Sequence, residues 1–151
     1  MTGLEVGAQP LHAPTIRITA MPGDTNPYGD IFGGWLMAHM DLAAGAVAAR
    51  CARGRAVTVA VDRMVFHNPV EVGDEVSVFA VVASTGRTSM TVAVQAWRRP
   101  RHIDQAQMVT EAHFTFVAIG TDGRPVPLPE DSVVDRATEA PEFRPDPAGS
   151  R

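Results

Sequence analysis

From Trp35 to Ala49 the chain reads WLMAHMDLAAGAVAA, fifteen residues with only two polar side chains, His39 and Asp41. A surface helix carries a polar face along its whole length. This one is apolar nearly all round, so it reads as a buried central helix around which the rest of the chain must be built. Ala43, Ala44, Gly45, Ala46, Ala48 and Ala49 leave room for other backbone to approach it. Gly45 costs a helix up to about 1 kcal/mol relative to Ala, which predicts close packing at that point. A carboxylate in such surroundings must find a partner or shift its pKa. Asp41 is therefore either a structural acid, held by an Arg or by backbone donors, or a base or nucleophile in an apolar pocket. His39 lies two residues away, about 200° round a helix, and cannot face Asp41. It reads as a packed or partly exposed histidine.

The helix is preceded by MPGDTNPYGDIFGG, dense in Gly, Pro, Asn and Asp, which is loop chemistry. Gly33 and Gly34 at the helix start leave backbone N–H groups unhindered, and a helix N-terminus favours anions and developing oxyanions. The plainer reading of the pair is a loop-to-helix turn. Thr15–Met21 alternates and predicts a short strand. After the helix the period falls to two, over Val57–Phe66, Glu75–Ser84, Thr88–Arg98 and Val109–Ile119, with Asn68-Pro69, Val72-Gly73-Asp74, Gly86 and Thr121-Asp122-Gly123 as breaks. The order strand, loop, helix, four strands is α+β, with an antiparallel-leaning sheet of about five strands on one helix. So small a sheet leaves much surface uncovered and predicts oligomerisation.

One domain fits 151 residues, and 45% hydrophobic with 20% charged residues predicts a packed core. The net charge of −4 argues against nucleic-acid binding. All 13 basic residues are Arg, which suits planar anionic partners but equally follows from codon bias. Cys51 stands alone and reads as structural, and the histidines beyond His39 are scattered without metal-ligand spacing. No signal peptide and no apolar run of about 18 residues is visible, which makes the cytoplasm the expected location and a membrane partner unexpected. Residues 1–14 read as a flexible start and 130–151, with six acids, three Arg and three Pro, as a disordered tail.

The residues Asp24-Thr25-Asn26, Gly29, Ile31-Phe32-Gly33-Gly34 and Met40-Asp41 together resemble the entrance loop and helix of the hotdog-fold acyl-CoA thioesterases of the YciA type, a pattern shared with the brain-type acyl-CoA hydrolases. AVTVAVDRMVFHNPVEVGDEV resembles the first long strand and turn of that family. Thr85-Gly86-Arg87-Thr88-Ser89-Met90 and EAHFTFVAIGTDGRPVPLP resemble later segments. The match spans roughly residues 15–129, in order. The resemblance implies a hotdog fold, hydrolysis of acyl-CoA to CoA and a carboxylic acid, no metal or redox cofactor, and dimers assembled as a trimer of dimers. It places the catalytic acid on Asp41, a loop amide on Asn26, carbonyl-polarising glycines on Gly33 and Gly34, and CoA contacts on Arg87, Thr88 and Ser89. Arg53, Arg55, Arg98, Arg99 and Arg101 are further candidates for the CoA phosphates. Pro27-Tyr28 and His39 depart from the usual residues of the family. The departure at Pro27-Tyr28 bears on pocket shape and acyl preference.

A thioester needs a polarised carbonyl and an activated water, while the CoA thiolate leaves readily. The helix start can supply the first, and Asp41 the second as general base or, by attack of its carboxylate, as nucleophile. Two rival readings are a hotdog hydratase, which needs a His beside the acid, and a non-catalytic acyl-CoA sensor, which would lack the acid. Finally, Gly33 and Asp41 are eight residues apart, about 12 Å of helix rise. One carbonyl cannot touch both, so a site shared between two chains is expected.

Overall fold

The computed structural model describes residues 9–132 and 134. Five strands, β1 (Ile16–Thr19), β2 (Ala56–Phe66), β3 (Glu75–Thr85), β4 (Ser89–Arg99) and β5 (Gln107–Ala118), form one antiparallel sheet in the order β1-β3-β4-β5-β2. Helix α1 (Gly33–Ala52) lies across it against β2 to β5. This is the expected α+β hotdog arrangement. The predicted strands fall within two or three residues of the observed ones, and the helix gains a turn or less at either end. No helix among the described residues is long and apolar enough to cross a membrane.

Period-two patterning builds the core. Along β4 the side chains of Met90, Val92, Val94 and Ala96 are buried and those between them half-buried; Ala112, Phe114, Phe116 and Ala118 do the same on β5. They close against Leu36, Met40, Ala43, Ala44 and Ala48 of α1. Gly45 sits over Phe116, where an added Cβ would lie 3.6 Å from the ring, an ordinary contact. The predicted close approach is thus present but not tight.

Two expectations need correction. The helix is not buried all round: its outer face leaves Met37, Asp41, Leu42 and Ala46 exposed, Leu42 by 62%. Nothing among the described residues covers that side. Strand β2, likewise, does not alternate simply. Its register against β5 shifts between Thr58 and Ala60 and again between Asp62 and Val65, and Arg63 has φ 45°. Each shift is a bulge, where an extra residue interrupts the ladder.

Chain ends also differ in detail from the reading of loose termini. His12 places its ring edge-on to Phe79, 5.5 Å between centroids, and Asp131 pairs with Arg53 at 2.7 Å. Ser132 donates to the carbonyls of Pro129 and Cys51 at 2.7 and 3.4 Å. Residues 130–132 are therefore docked on the end of α1. The disorder expected of 135–151 and the flexibility expected of 1–8 concern residues outside those described.

Candidate active site

The entrance loop is held by the very residues that carry the resemblance. Asp24 accepts from Met21 N at 2.9 Å, and the Thr25 hydroxyl donates to Pro22 O at 2.7 Å. Asn26 Oδ1 accepts from Tyr28 N at 2.9 Å and Asp30 N at 3.1 Å, while its backbone bonds Asp30 O and Gly29 N. An Asn that bonds backbone two residues on is a turn-former. Its acceptor oxygen is spent on that turn, so only the amide N–H groups remain for a ligand.

The loop delivers the chain to Phe32, the extended N-cap of α1, which provides no side-chain cap. Trp35 N bonds Phe32 O, but the N–H groups of Gly33 and Gly34 have no acceptor among the described residues. A Cβ at Gly33 would come within 3.2 Å of the Phe66 ring, so glycine is what lets the helix start lie against the end of β2.

Two turns further on, Asp41 Oδ1 accepts a hydrogen bond of 2.6 Å from the hydroxyl of Thr58, near the start of β2. Asp41 is exposed in the single chain, which corrects the expectation of an acid buried by its own fold. Among the described residues neither an Arg nor a backbone donor holds it, and the Thr58 hydroxyl is its partner instead. His39 turns away and stacks edge-on to Trp35, centroids 4.6 Å apart. Thus Asp41 and Gly33 stand at opposite ends of β2 and are not brought together within one chain.

Gly86, Arg87 and Thr88 form the turn between β3 and β4, and Ser89 opens β4. A Cβ at Gly86 would lie 2.6 Å from Ser89 Oγ, so that hydroxyl would have to turn aside. The outgoing chain returns to this turn: Ala118 N bonds Thr88 O, and Leu128 N bonds Arg87 O. Met90 pairs with Phe116, which pairs with Thr58. The turn therefore sits on the same end of the sheet as Asp41, two strands or about 10 Å away.

Of the other arginines offered for phosphate contact, Arg98 is committed elsewhere. It is nearly buried, pairs with Asp74 at 3.2 Å, and donates to Pro69 O and Gln107 Oε1. Arg53 is taken by Asp131, and Arg99 bonds Glu75 and Ile103 O. Arg55 and Arg101 have no such bonds among the described residues. Burial pushes the Cys51 thiol up, against a smaller lowering by Ser132, which fits a structural thiol. No group of three or more metal-ligating side chains occurs among the described residues.

One feature escaped the sequence reading. Between the start of α1 and the end of β2 lies a cleft of about 350 Å³ with Gly33 on its wall. Ile31, Phe32, Leu36, Phe66, Val70 and Val109 supply apolar lining; His67 and Asn68 are the polar side chains. The Asn68-Pro69 pair had been legible only as a strand breaker.

The family model of the Thioesterase superfamily matches residues 28–105. An uncharacterized acyl-CoA thioester hydrolase of Zymomonas mobilis is 52% identical over 120 residues, 80% of each chain. The acyl-CoA thioester hydrolase YciA of Salmonella typhimurium is 45% identical over 117 residues, 76% of this chain and 88% of YciA. A crystal structure of a hexameric broad-specificity acyl-coenzyme A thioesterase superposes with a TM-score of 0.77 at 40% identity, covering 85% of this chain and 89% of that one. The loop, helix and sheet described above thus have close counterparts, and the chain belongs to the Thioesterase superfamily, as a hotdog-fold enzyme of the YciA acyl-CoA thioester hydrolase type.

Proposed function

We propose that this protein hydrolyses acyl-CoA to CoA and a carboxylic acid, with Asp41 as general base, in sites that each draw on two copies of the chain. The observation that carries the reading is Asp41 itself. It is a lone acid on the outer face of an apolar helix, oriented by Thr58 and open on its other side. A carboxylate so held can take a proton from water as that water attacks the thioester carbonyl. The tetrahedral oxyanion then meets the free N–H groups of Gly33 and Gly34, where the helix dipole favours negative charge. The Asn26 amide is a further donor to the carbonyl. Collapse of the intermediate expels the CoA thiolate, which needs little acid assistance. Attack by the Asp41 carboxylate to give an anhydride is the covalent variant of the same site. No metal or redox cofactor enters the scheme.

The shared site follows from β2. It is an edge strand with Val57, Val59, Val61, Val65 and Phe66 exposed. An apolar edge of this kind invites another strand. Two β2 strands paired antiparallel about a two-fold axis near Val61 set the Thr58–Asp41 end of one beside the Phe66–Gly33 end of the other. The same pairing covers the outer face of α1, which the described residues of one chain leave open. A trimer of such dimers agrees with the hexameric relative. In each site the CoA moiety runs towards the Arg87-Thr88-Ser89 turn. A cytoplasmic location suits a CoA substrate. A hydratase reading would need a His beside Asp41, and His39 faces Trp35 instead; a sensor would not keep the acid.

Release of free thiol from a panel of acyl-CoAs tests the activity, and complementation tests the shared site. Asn26→Ala and Asp41→Ala proteins should each be nearly inactive. Mixed after reversible dissociation, they should recover towards about a quarter of wild-type activity, because random pairing gives half heterodimers, each with one intact site. No recovery despite confirmed subunit exchange would place each site within one chain.

A further inference from the structure

The cleft beside Gly33 points to a substrate class. Gly33 lies on its wall, so an acyl chain whose carbonyl rests on the Gly33 N–H has this cleft as its nearest apolar space. At about 30 Å³ per water-sized group the cleft holds roughly a dozen non-hydrogen atoms, a short or medium acyl group. Its lining is apolar except for His67 and Asn68.

The backbone of His67 and the side chain of Asn68 are fixed in place by the fold. His67 N bonds Val109 O at 2.7 Å, and Asn68 Nδ2 bonds Met108 O at 2.7 Å. The next residue, Pro69, gives its carbonyl to Arg98 at 2.8 Å, and Arg98 is itself anchored on Asp74. The His67 imidazole and the Asn68 amide oxygen nevertheless have no hydrogen-bond partner among the described residues. His67 is exposed and Asn68 half-buried, so the two stand where the cleft opens to solvent, an imidazole and an amide oxygen at the edge of a mainly apolar wall. A plain alkyl chain lying over this end would displace water from both without replacing its hydrogen bonds, whereas a hydroxyl near the thioester could bond to either.

We infer that this cleft is the acyl subsite and that His67, with the Asn68 amide oxygen, selects acyl groups bearing a hydroxyl a few atoms from the thioester. The inference rests on the acyl-CoA hydrolase reading and names the substrate class of the same site.

The test compares butyryl-CoA with 3-hydroxybutyryl-CoA, two substrates of equal chain length, by thiol release. Wild type should favour the hydroxylated substrate in kcat/KM by about five- to tenfold, the worth of one net hydrogen bond. His67→Leu should abolish or reverse that ratio by slowing the hydroxylated substrate while the plain one is held or improved. His67→Gln, which keeps a donor and an acceptor, should restore part of the preference. A wild-type ratio near one, or a ratio unmoved in His67→Leu, would overturn the inference. So would an equal loss on both substrates, which would mark His67 as catalytic or structural. Size-exclusion chromatography of each variant guards against loss of assembly. Asp41→Asn, run in parallel, separates the two readings: activity that survives it refutes the general base while the substrate ratio still reports on the cleft.

Discussion

Strands β2 and β3 are each eleven residues long and rich in valine, yet the fold treats them in opposite ways. From Val76 to Val82 every residue of β3 is buried, on both faces, because β1 and β4 flank it, α1 covers one side and Phe79 meets His12 on the other. In β2 no residue is fully buried, because among the described residues only β5 pairs with it and its other edge is open. The site residues keep company with the open strand: Asp41 hangs from Thr58, Gly33 rests on Phe66, and the cleft continues into His67. The centre of the sheet holds the chain together, and its edge is where the proposed chemistry and the proposed assembly meet.

The sharpest way to break this division is Asp41→Asn. It should lower turnover a hundredfold or more, in the range of a lost general base, with melting temperature and oligomer size unchanged. Near-normal turnover in a folded variant would refute the assignment. A paired substitution probes the strands themselves. Val78→Asp buries an unpaired charge where the side chain has no exposure and should cost more than about 4 kcal/mol, enough to unfold the chain. Val59→Asp places the same charge on a side chain 55% exposed and should leave the chain folded but smaller by size-exclusion chromatography and inactive. If both unfold, or both assemble, the contrast between the strands is false.

Asn26→Asp sharpens the picture at the entrance. Its carboxylate can still accept from Tyr28 N and Asp30 N, so the turn should hold, but the amide donors are gone. A loss of roughly tenfold or more in kcat without a change in melting temperature would assign the amide to the carbonyl, on the scale of one charge-assisted donor. Unchanged kcat would leave Asn26 as a turn-former alone. The smallest effect belongs to Gly45→Ala. The added methyl meets Phe116 at ordinary contact distance and removes a helix-interior glycine, so stability should rise by up to about 1 kcal/mol in thermal melts with activity retained.

Period-two patterning made the strands legible because alternation is a local property, written within a few residues of each position. The placement of a strand in the sheet is not local, and β2 and β3 look alike until their neighbours are known. The same limit explains the overread helix. WLMAHMDLAAGAVAA says that α1 will be covered, and cannot say whether its own sheet or a second copy does the covering. Arg98 looked free for phosphate because its partner Asp74 lies 24 residues away, brought close only by the register of β4 and the β2–β3 connection. Asp41 stood out because a lone acid on an apolar helix is a conflict visible in the residues themselves. His67 carried no such conflict, since a polar residue after a strand is what any chain shows.

The two interruptions of β2, at Thr58–Ala60 and Asp62–Val65, bear on how this protein survives in a crowded cell. A long, flat, valine-rich edge would pair with almost any extended chain, including half-made copies of itself, and could stack without end. A comb with missing teeth accepts only a strand whose own gaps fall in step. The antiparallel mate that best meets that condition is a second β2 turned end for end, and once it is seated no free edge is left on that side. In the proposed dimer the bulges would thereby act as a proofreading device, making a sticky edge choosy and turning an aggregation hazard into a single closed handshake.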